Sequence, residues 1–302
     1  SIIAIYPEKY YSDKKNCPYI YNNDCYLKCP ENTCLVTNVK ELSKCADIKP
    51  SMKIYNGICI EGINELAQSI DDLENDNDIS TIITSSGVTL SAVSADASID
   101  ILIKKNPTLT YVNLEECKNN LLESYGLSSE TKLYIIGIDM PNLSGDSSIN
   151  SFNYEVYLKN GTQLKDLSPC DNTKILISSN INDLEKVYFS KAMEFYEEGY
   201  DIYNRSNIFY TDLCAPAHDN GNDITLVDRA KYYYPKVSIC NDGCKYNVVD
   251  FESQRFLCDC NANLTDKVYK HDNDIEKDEE NEEDDSSYLD YFLSLINYKI
   301  LL

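Results

Sequence analysis

The sequence is short of the residues that most enzyme and nucleic-acid chemistry needs. Its 302 residues include two histidines, His218 and His271. Ten glycines leave few places for a loop that cradles phosphate. No glycine-rich phosphate motif, no HExxH and no GxSxG occurs. Basic residues are scarce as well, with 27 Lys and Arg against 50 Asp and Glu and a formal net charge of −23. Nucleic-acid binding requires clustered Lys and Arg to displace counterions, and no basic stripe exists, so that class is excluded. The same charge repels anionic lipid headgroups. No stretch approaches the roughly 20 apolar residues of a membrane span. The chain begins without an initiator Met or an apolar signal segment and stops on the apolar Ile300-Leu301-Leu302. These ends are expected of an internal piece of a longer chain whose signal peptide has been removed.

Cysteine, by contrast, is abundant. Thirteen residues fall in three blocks. Cys17, Cys25, Cys29, Cys34, Cys45 and Cys59 form the first. Cys117 and Cys170 stand alone in the second. Cys214, Cys240, Cys244, Cys258 and Cys260 form the third. A reducing compartment would use such clusters for metal and an oxidising one for disulfides. Four glycosylation sequons, at Asn142, Asn160, Asn204 and Asn263, agree with secretion. All thirteen cysteines are therefore expected in disulfides, with Cys117 and Cys170 as natural partners and the odd one paired beyond Leu302.

The pattern along the chain predicts a mainly β fold with some α. Residues 1–65 read as a cysteine-rich module without clear periodicity, too small to hold itself by a core alone. Residues 66–180 read as a β-sandwich. Its expected strands are Thr81–Thr84, Val88–Val93, Ile99–Ile103, Thr110–Val112, Leu133–Ile138, Tyr154–Leu158 and Lys174–Ser178. One helix over Leu114–Tyr125 places Leu114, Cys117, Leu121 and Tyr125 on one face. Residues 181–213 read as a helical connector and 214–266 as a C-terminal cysteine-rich module. Thr225 followed by Asp228 is a capping-box pattern that starts a short helix. Residues 267–286 hold ten acids and one Lys between Asp272 and Asp285, a net of −9 that leaves −14 on the rest. That run is expected to be a self-repelling disordered loop, with weak cation binding or a basic partner as its functional reading. Residues 287–302 read as a terminal helix or strand.

Three sets of side chains merit a chemical reading. Cys214 with His218, Cys240 and Cys244 supplies four zinc ligands of the right type, but only where the thiols stay reduced. Asp219 and Asp223, and separately the acids between Asp71 and Asp78, could chelate calcium, although neither stretch has a full EF-hand pattern. Cys214 and His218 could form a nucleophile pair, without visible support from a third group. A turn and helix cap explain the first stretch more simply, and a solvated linker or helix end the second. No cofactor is expected.

Several segments, taken in order, resemble large cysteine-rich, membrane-anchored surface proteins of ciliates and related protists with AT-rich genomes. They are Val112-Asn-Leu-Glu-Glu-Cys117 running on to Leu133-Tyr-Ile-Ile-Gly-Ile-Asp139, then Asn153-Tyr-Glu-Val-Tyr157 with Leu167-Ser-Pro-Cys170. Phe209-Tyr-Thr-Asp-Leu-Cys214, Leu226-Val-Asp-Arg229 and the Cys240…Cys260 ending follow. The acidic insert and Cys214-Ala-Pro-Ala depart from that pattern. The resemblance implies an extracellular, disulfide-bonded, glycosylated protein and no enzymatic activity. The expected role is a structural or adhesive surface module whose partners are other surface proteins or copies of itself. The alternative is a receptor-like ectodomain that binds a ligand or carbohydrate.

Overall fold

Asn22 and Asn23 both take positive φ, at 49° and 66°. That conformation closes a two-residue hairpin whose twist matches its strands, so Tyr21 pairs directly with Asp24. Asn56 and Gly57, with φ of 49° and 76°, repeat the device. These turns organise the N-terminal layer of a computed structural model that describes residues 19–26, 28–36, 44–140, 150–181, 186–219, 221–233, 239–241 and 243–262. Cys17, Asn142, Asn263, His271, the acidic run and the terminal segment 287–302 lie outside the described residues.

The N-terminal layer is a sheet of six short strands: β1 (Tyr19–Tyr21), β2 (Asp24–Tyr26), β3 (Thr33–Val36), β4 (Lys44–Asp47), β5 (Lys53–Tyr55) and β6 (Ile58–Ile60). Their order is β2-β1-β4-β3-β6-β5. Helix α1 (Ile63–Ser69) follows and buries Ile63, Leu66 and Ala67, spaced at i, i+3 and i+4.

The central sheet takes β7 (Ser80–Ile83), β8 (Thr89–Ser94), β10 (Leu133–Met140), β11 (Ser151–Leu158) and β12 (Gln163–Leu164) in the order β12-β11-β10-β8-β7. All eight residues of β10 are buried. Side chains alternate across a strand, so full burial means that both faces of this sheet are covered. Tyr134, Ile136, Ile138 and Met140 pack with α1, Ile58 and Ile60 of the N-terminal layer. Leu133 and Ile135 join the opposite core, together with Phe152, Tyr154 and Val156 of β11.

That second core is closed by a four-stranded sheet and helices. The sheet contains β9 (Tyr111–Asn113), β13 (Ile175–Asn180), β16 (Cys244–Asp250) and β17 (Arg255–Cys260), ordered β16-β17-β13-β9. The remaining elements are α2 (Ile99–Lys105), α3 (Glu116–Ser124), α4 (Lys186–Glu197), α5 (Ile208–Thr211), the small hairpin β14 (His218–Asp219) and β15 (Asn222–Asp223), and α6 (Leu226–Tyr232). The fold is thus mainly β with some α, and disulfides staple both its N-terminal and its C-terminal parts.

One expected element is corrected. Residues Ile99–Ile103 form helix α2, not a strand. Asp100 in the first turn and Lys104 and Lys105 in the last complement the helix dipole, and Ile99, Leu102 and Ile103 form the inward stripe. The segment 214–266 contributes to a sheet shared with earlier strands. Its strand β17 pairs with β13 over six residues, from Ile175↔Cys260 to Asn180↔Arg255, and so completes the sheet that begins at Tyr111. The Thr225 cap is present, with Thr225 Oγ1 accepting from Asp228 N at 3.2 Å, and α6 begins at Leu226.

Candidate functional site

Five bridges join pairs of described residues and are distributed through the layers. Cys29–Cys45 and Cys34–Cys59 staple the N-terminal sheet. Cys117–Cys170 ties α3 to the 3-10 turn Ser168–Cys170 just before β13. Cys240–Cys258 and Cys244–Cys260 fasten the β16–β17 hairpin. Cys25 is also disulfide-bonded. Bridges of this number form and persist in an oxidising compartment. Cys214 is the exception, an exposed free thiol, which corrects its assignment to a disulfide. The reason is local geometry: Cys244 and Cys260 face each other in register, and Cys240 reaches Cys258 on the same hairpin. These four thiols satisfy one another and leave Cys214, beyond α5, over.

The same pairing removes the zinc set, because Cys240 and Cys244 have no thiolate to offer beside Cys214 and His218. The nucleophile pair falls too. His218 Nε2 lies 2.8 Å from Asp223 Oδ1 across the β14–β15 hairpin, and no hydrogen bond joins it to Cys214. The calcium candidates separate in the same way. Asp219 accepts from Lys191 Nζ at 2.5 Å and from the Tyr233 hydroxyl, while Asp223 turns to His218. In the acidic stretch, Asp76 meets Lys132 at 2.6 Å, Asp78 meets Lys105 at 3.7 Å and Asp71 meets Lys159 at 4.0 Å. Lysine ammonium groups thus stand where a cation would. Among the described residues no group of three or more His, Cys, Asp or Glu is placed to hold a metal ion.

Buried polar groups that the sequence reading passed over are built into the fold itself. Glu155 of β11 is buried, and Lys53 Nζ donates to both of its oxygens at 2.7 Å. The hydroxyls of Tyr55 and Tyr157 also donate to this carboxylate. Burial, and then the charge of Glu155, raise both phenols far above their ordinary range. A lone charge within the apolar run Tyr154-Glu155-Val156-Tyr157 was the available signal. Arg255 is fully buried beneath the ring of Tyr111, 5.4 Å from its centroid. It donates to the carbonyls of Pro107 at 2.8 Å and Leu109 at 2.6 Å, to Ser178 Oγ at 2.7 Å and to the Ser178 carbonyl. Burial lowers its pKa to about 10. Arg229 of α6 likewise gathers the carbonyls of Ile224, Phe209 and Ala215. These contacts hold loops in place, and each site is closed over by its own chain.

An open cleft of about 520 Å³ lies at the end of the central sheet where β10 begins and β11 ends. Leu73, Tyr134 and Leu158 give it an apolar floor, and the Asp76–Lys132 ion pair and Asn160 stand among its walls. The volume lies in the range of small-molecule sites, roughly 300–1,000 Å³. Asn160 is exposed in the turn between β11 and β12, and its Oδ1 accepts from Thr162 N at 3.1 Å. Asn204, by contrast, is half-buried.

No family model, curated protein or solved structure matches the chain.

Proposed function

We propose that this chain is a non-enzymatic extracellular module of a surface protein, structural or adhesive in role, which meets other surface proteins or further copies of itself. The observation that carries this reading is the use of its cysteines: two bridges hold an N-terminal sheet whose strands of three or four residues are too short to persist unaided, and three more tie α3 and the β16–β17 hairpin into the fold. The buried charged side chains support it, because Glu155, Arg229 and Arg255 spend their hydrogen bonds on their own fold. The resemblance to cysteine-rich protist surface proteins points the same way. Among the described residues no helix is long and apolar enough to cross a membrane.

The test is secretion followed by adhesion. The chain, directed into the secretory pathway of a eukaryotic host, should emerge with the bridges named above intact under non-reducing peptide mapping. Beads coated with it should cluster with one another or bind intact cells of the source. Secretion with scrambled or reduced cysteines would sink the extracellular reading, and bridged protein on inert beads would sink the adhesive one. A receptor-like ectodomain is the second reading, favoured by the cleft. A glycan or small-molecule panel that stabilises the protein through residues of the cleft would move the choice to it.

A further inference from the structure

The turn between β11 and β12 places a glycosylation sequon against the cleft described above. Asn160 is exposed, as is Thr162, whose hydroxyl completes the sequon. The Asn160 carboxamide is oriented by its Oδ1, which accepts the Thr162 backbone N–H at 3.1 Å, and its Nδ2 makes no hydrogen bond among the described residues. Gly161, with φ of 78°, allows the tight turn. Asn160 is itself part of the cleft wall. A group attached to Asn160 therefore starts at the wall of the cleft.

The cleft suits a sugar. Pyranose rings offer an apolar face and a ring of hydroxyls. Leu158 supplies apolar surface, and Asp76, Asn75, Thr131 and Lys132 supply donors and acceptors around it. A volume of about 520 Å³ accommodates a group the size of a disaccharide. Tethering removes most of the entropic cost of association, so weak contacts suffice to keep such a group seated.

We infer that Asn160 carries an N-linked glycan whose first sugars occupy this cleft. The inference rests on the secretory reading above. In the attachment step, Nδ2 of Asn160 bonds to the anomeric carbon of an oligosaccharide carried on a lipid diphosphate. The bond from that carbon to the diphosphate oxygen breaks, the lipid diphosphate departs with the electron pair, and one amide proton is released. The donor and the transferase belong to the secretory pathway. Seated there, the glycan covers Leu158 and braces the acidic stretch after α1 against the start of β10.

The experiment uses the chain secreted from a glycosylating eukaryotic host. Peptide mapping after glycosidase treatment should show Asn160 converted to Asp. Hydrogen exchange should be slower by roughly threefold or more at residues 74–76 and 130–134 in the glycosylated protein than in Thr162→Ala, the readout of a local opening that has become rarer. Thr162→Ala abolishes the sequon and keeps Asn160, and Asn160→Gln serves as the second unglycosylated form. A secreted, fully bridged chain with unmodified Asn160 would overturn the site while leaving the extracellular reading intact. An occupied Asn160 with unchanged exchange in the cleft would overturn the seating. A chain retained without its bridges would overturn the secretory reading and this inference together.

Discussion

Lys53 and Glu155 are 102 residues apart and meet at 2.7 Å, through both carboxylate oxygens. One belongs to the edge strand β5 of the disulfide-stapled N-terminal sheet and the other to the middle of β11. The ammonium group also lies 3.3 Å from Gln163 Oε1 and from the Tyr157 hydroxyl. This contact fixes how the N-terminal layer seats on the central sheet, because the carboxylate is buried and accepts only in that arrangement.

Replacing Lys53 with Met should therefore cost more than an ordinary surface change. The carboxylate would stay buried with only two phenol donors, a loss of roughly 1–3 kcal/mol. Lys53→Met combined with Glu155→Leu should recover most of that loss, since a matched apolar pair removes the buried charge. Urea unfolding midpoints of the single and double variants measure this. A double variant as unstable as the sum of its singles would show that the two groups are not coupled.

Arg255 makes a comparable prediction within the other core. Arg255→Met would leave the carbonyls of Pro107, Leu109 and Ser178 without their donors in a dry site, at a cost of roughly 3 kcal/mol or more. Arg255→Lys should fall between, because one ammonium reaches fewer of those oxygens. Thermal denaturation ranks the three proteins. Equal melting temperatures for the Met and Lys variants would mean that the hydrogen-bond fork does not anchor the Pro107–Leu109 loop.

What the sequence made legible divides along physical lines. β10 and β11 were readable because continuous apolar runs carry their own signal, and α3 because its stripe repeats at helical spacing. Cys117 and Cys170 were readable as partners because no other cysteine lies near either in the chain. Ile99-Asp-Ile-Leu-Ile misled, since its alternation imitates a strand while Asp100 and the terminal lysines mark a helix. The N-terminal sheet went unread because three-residue strands are shorter than one useful window of periodicity. Asn56-Gly57 was nonetheless a hairpin signal in plain view. The Glu155 cluster could not be assembled from sequence, because Lys53 and Glu155 become neighbours only through the packing of two sheets.

Gly137 tests the tightness of the central layer. A Cβ there would stand 2.9 Å from Ser91 Oγ and 3.1 Å from the ring of Phe152. The ring is held in the core beside Tyr154, so it has little room to retreat. Gly137→Ala should destabilise by roughly 1–3 kcal/mol through overpacking, although alanine favours a strand more than glycine does. A variant as stable as the parent would show that Phe152 repacks freely.

Mild reduction should separate the two disulfide-rich regions. The N-terminal sheet relies on Cys29–Cys45 and Cys34–Cys59 across strands of three or four residues. β17 instead shares six register pairs with β13 and buries Phe256 in the main core. Each bridge contributes about 2–4 kcal/mol. Amide exchange after reduction should accordingly rise first at residues 33–60, while 255–260 stays protected alongside 175–180. Simultaneous loss of protection in both regions would refute the idea that the sheet supports the C-terminal hairpin.

Asp139 supplies the pH dependence. It sits on β10 between the two sheets, buried, with Oδ2 accepting from Thr110 N at 3.1 Å and Oδ1 without a hydrogen-bond partner. Burial raises its pKa from 3.8 to about 6, against the opposing pull of Thr110 and of the Arg255 guanidinium. A carboxyl whose folded pKa is raised stabilises the fold most when protonated. Its contribution is complete below the unfolded value near 3.8 and is lost as pH rises through about 6. The loss amounts to roughly 3 kcal/mol, from two pKa units at about 1.4 kcal/mol each. Asp76, Asp78, Asp166 and Asp259 have lowered values and act in the opposite sense, losing their contribution only as pH falls toward 4 and below. The parent should therefore be less stable at pH 8 than at pH 5 in so far as Asp139 dominates that window. Asp139→Asn keeps an acceptor for Thr110 and cannot ionise. Its melting temperature should exceed that of the parent at pH 8, and the difference should shrink steadily as pH drops from 6 to 4. A difference that stays constant across that range would show that the carboxyl at 139 does not titrate there.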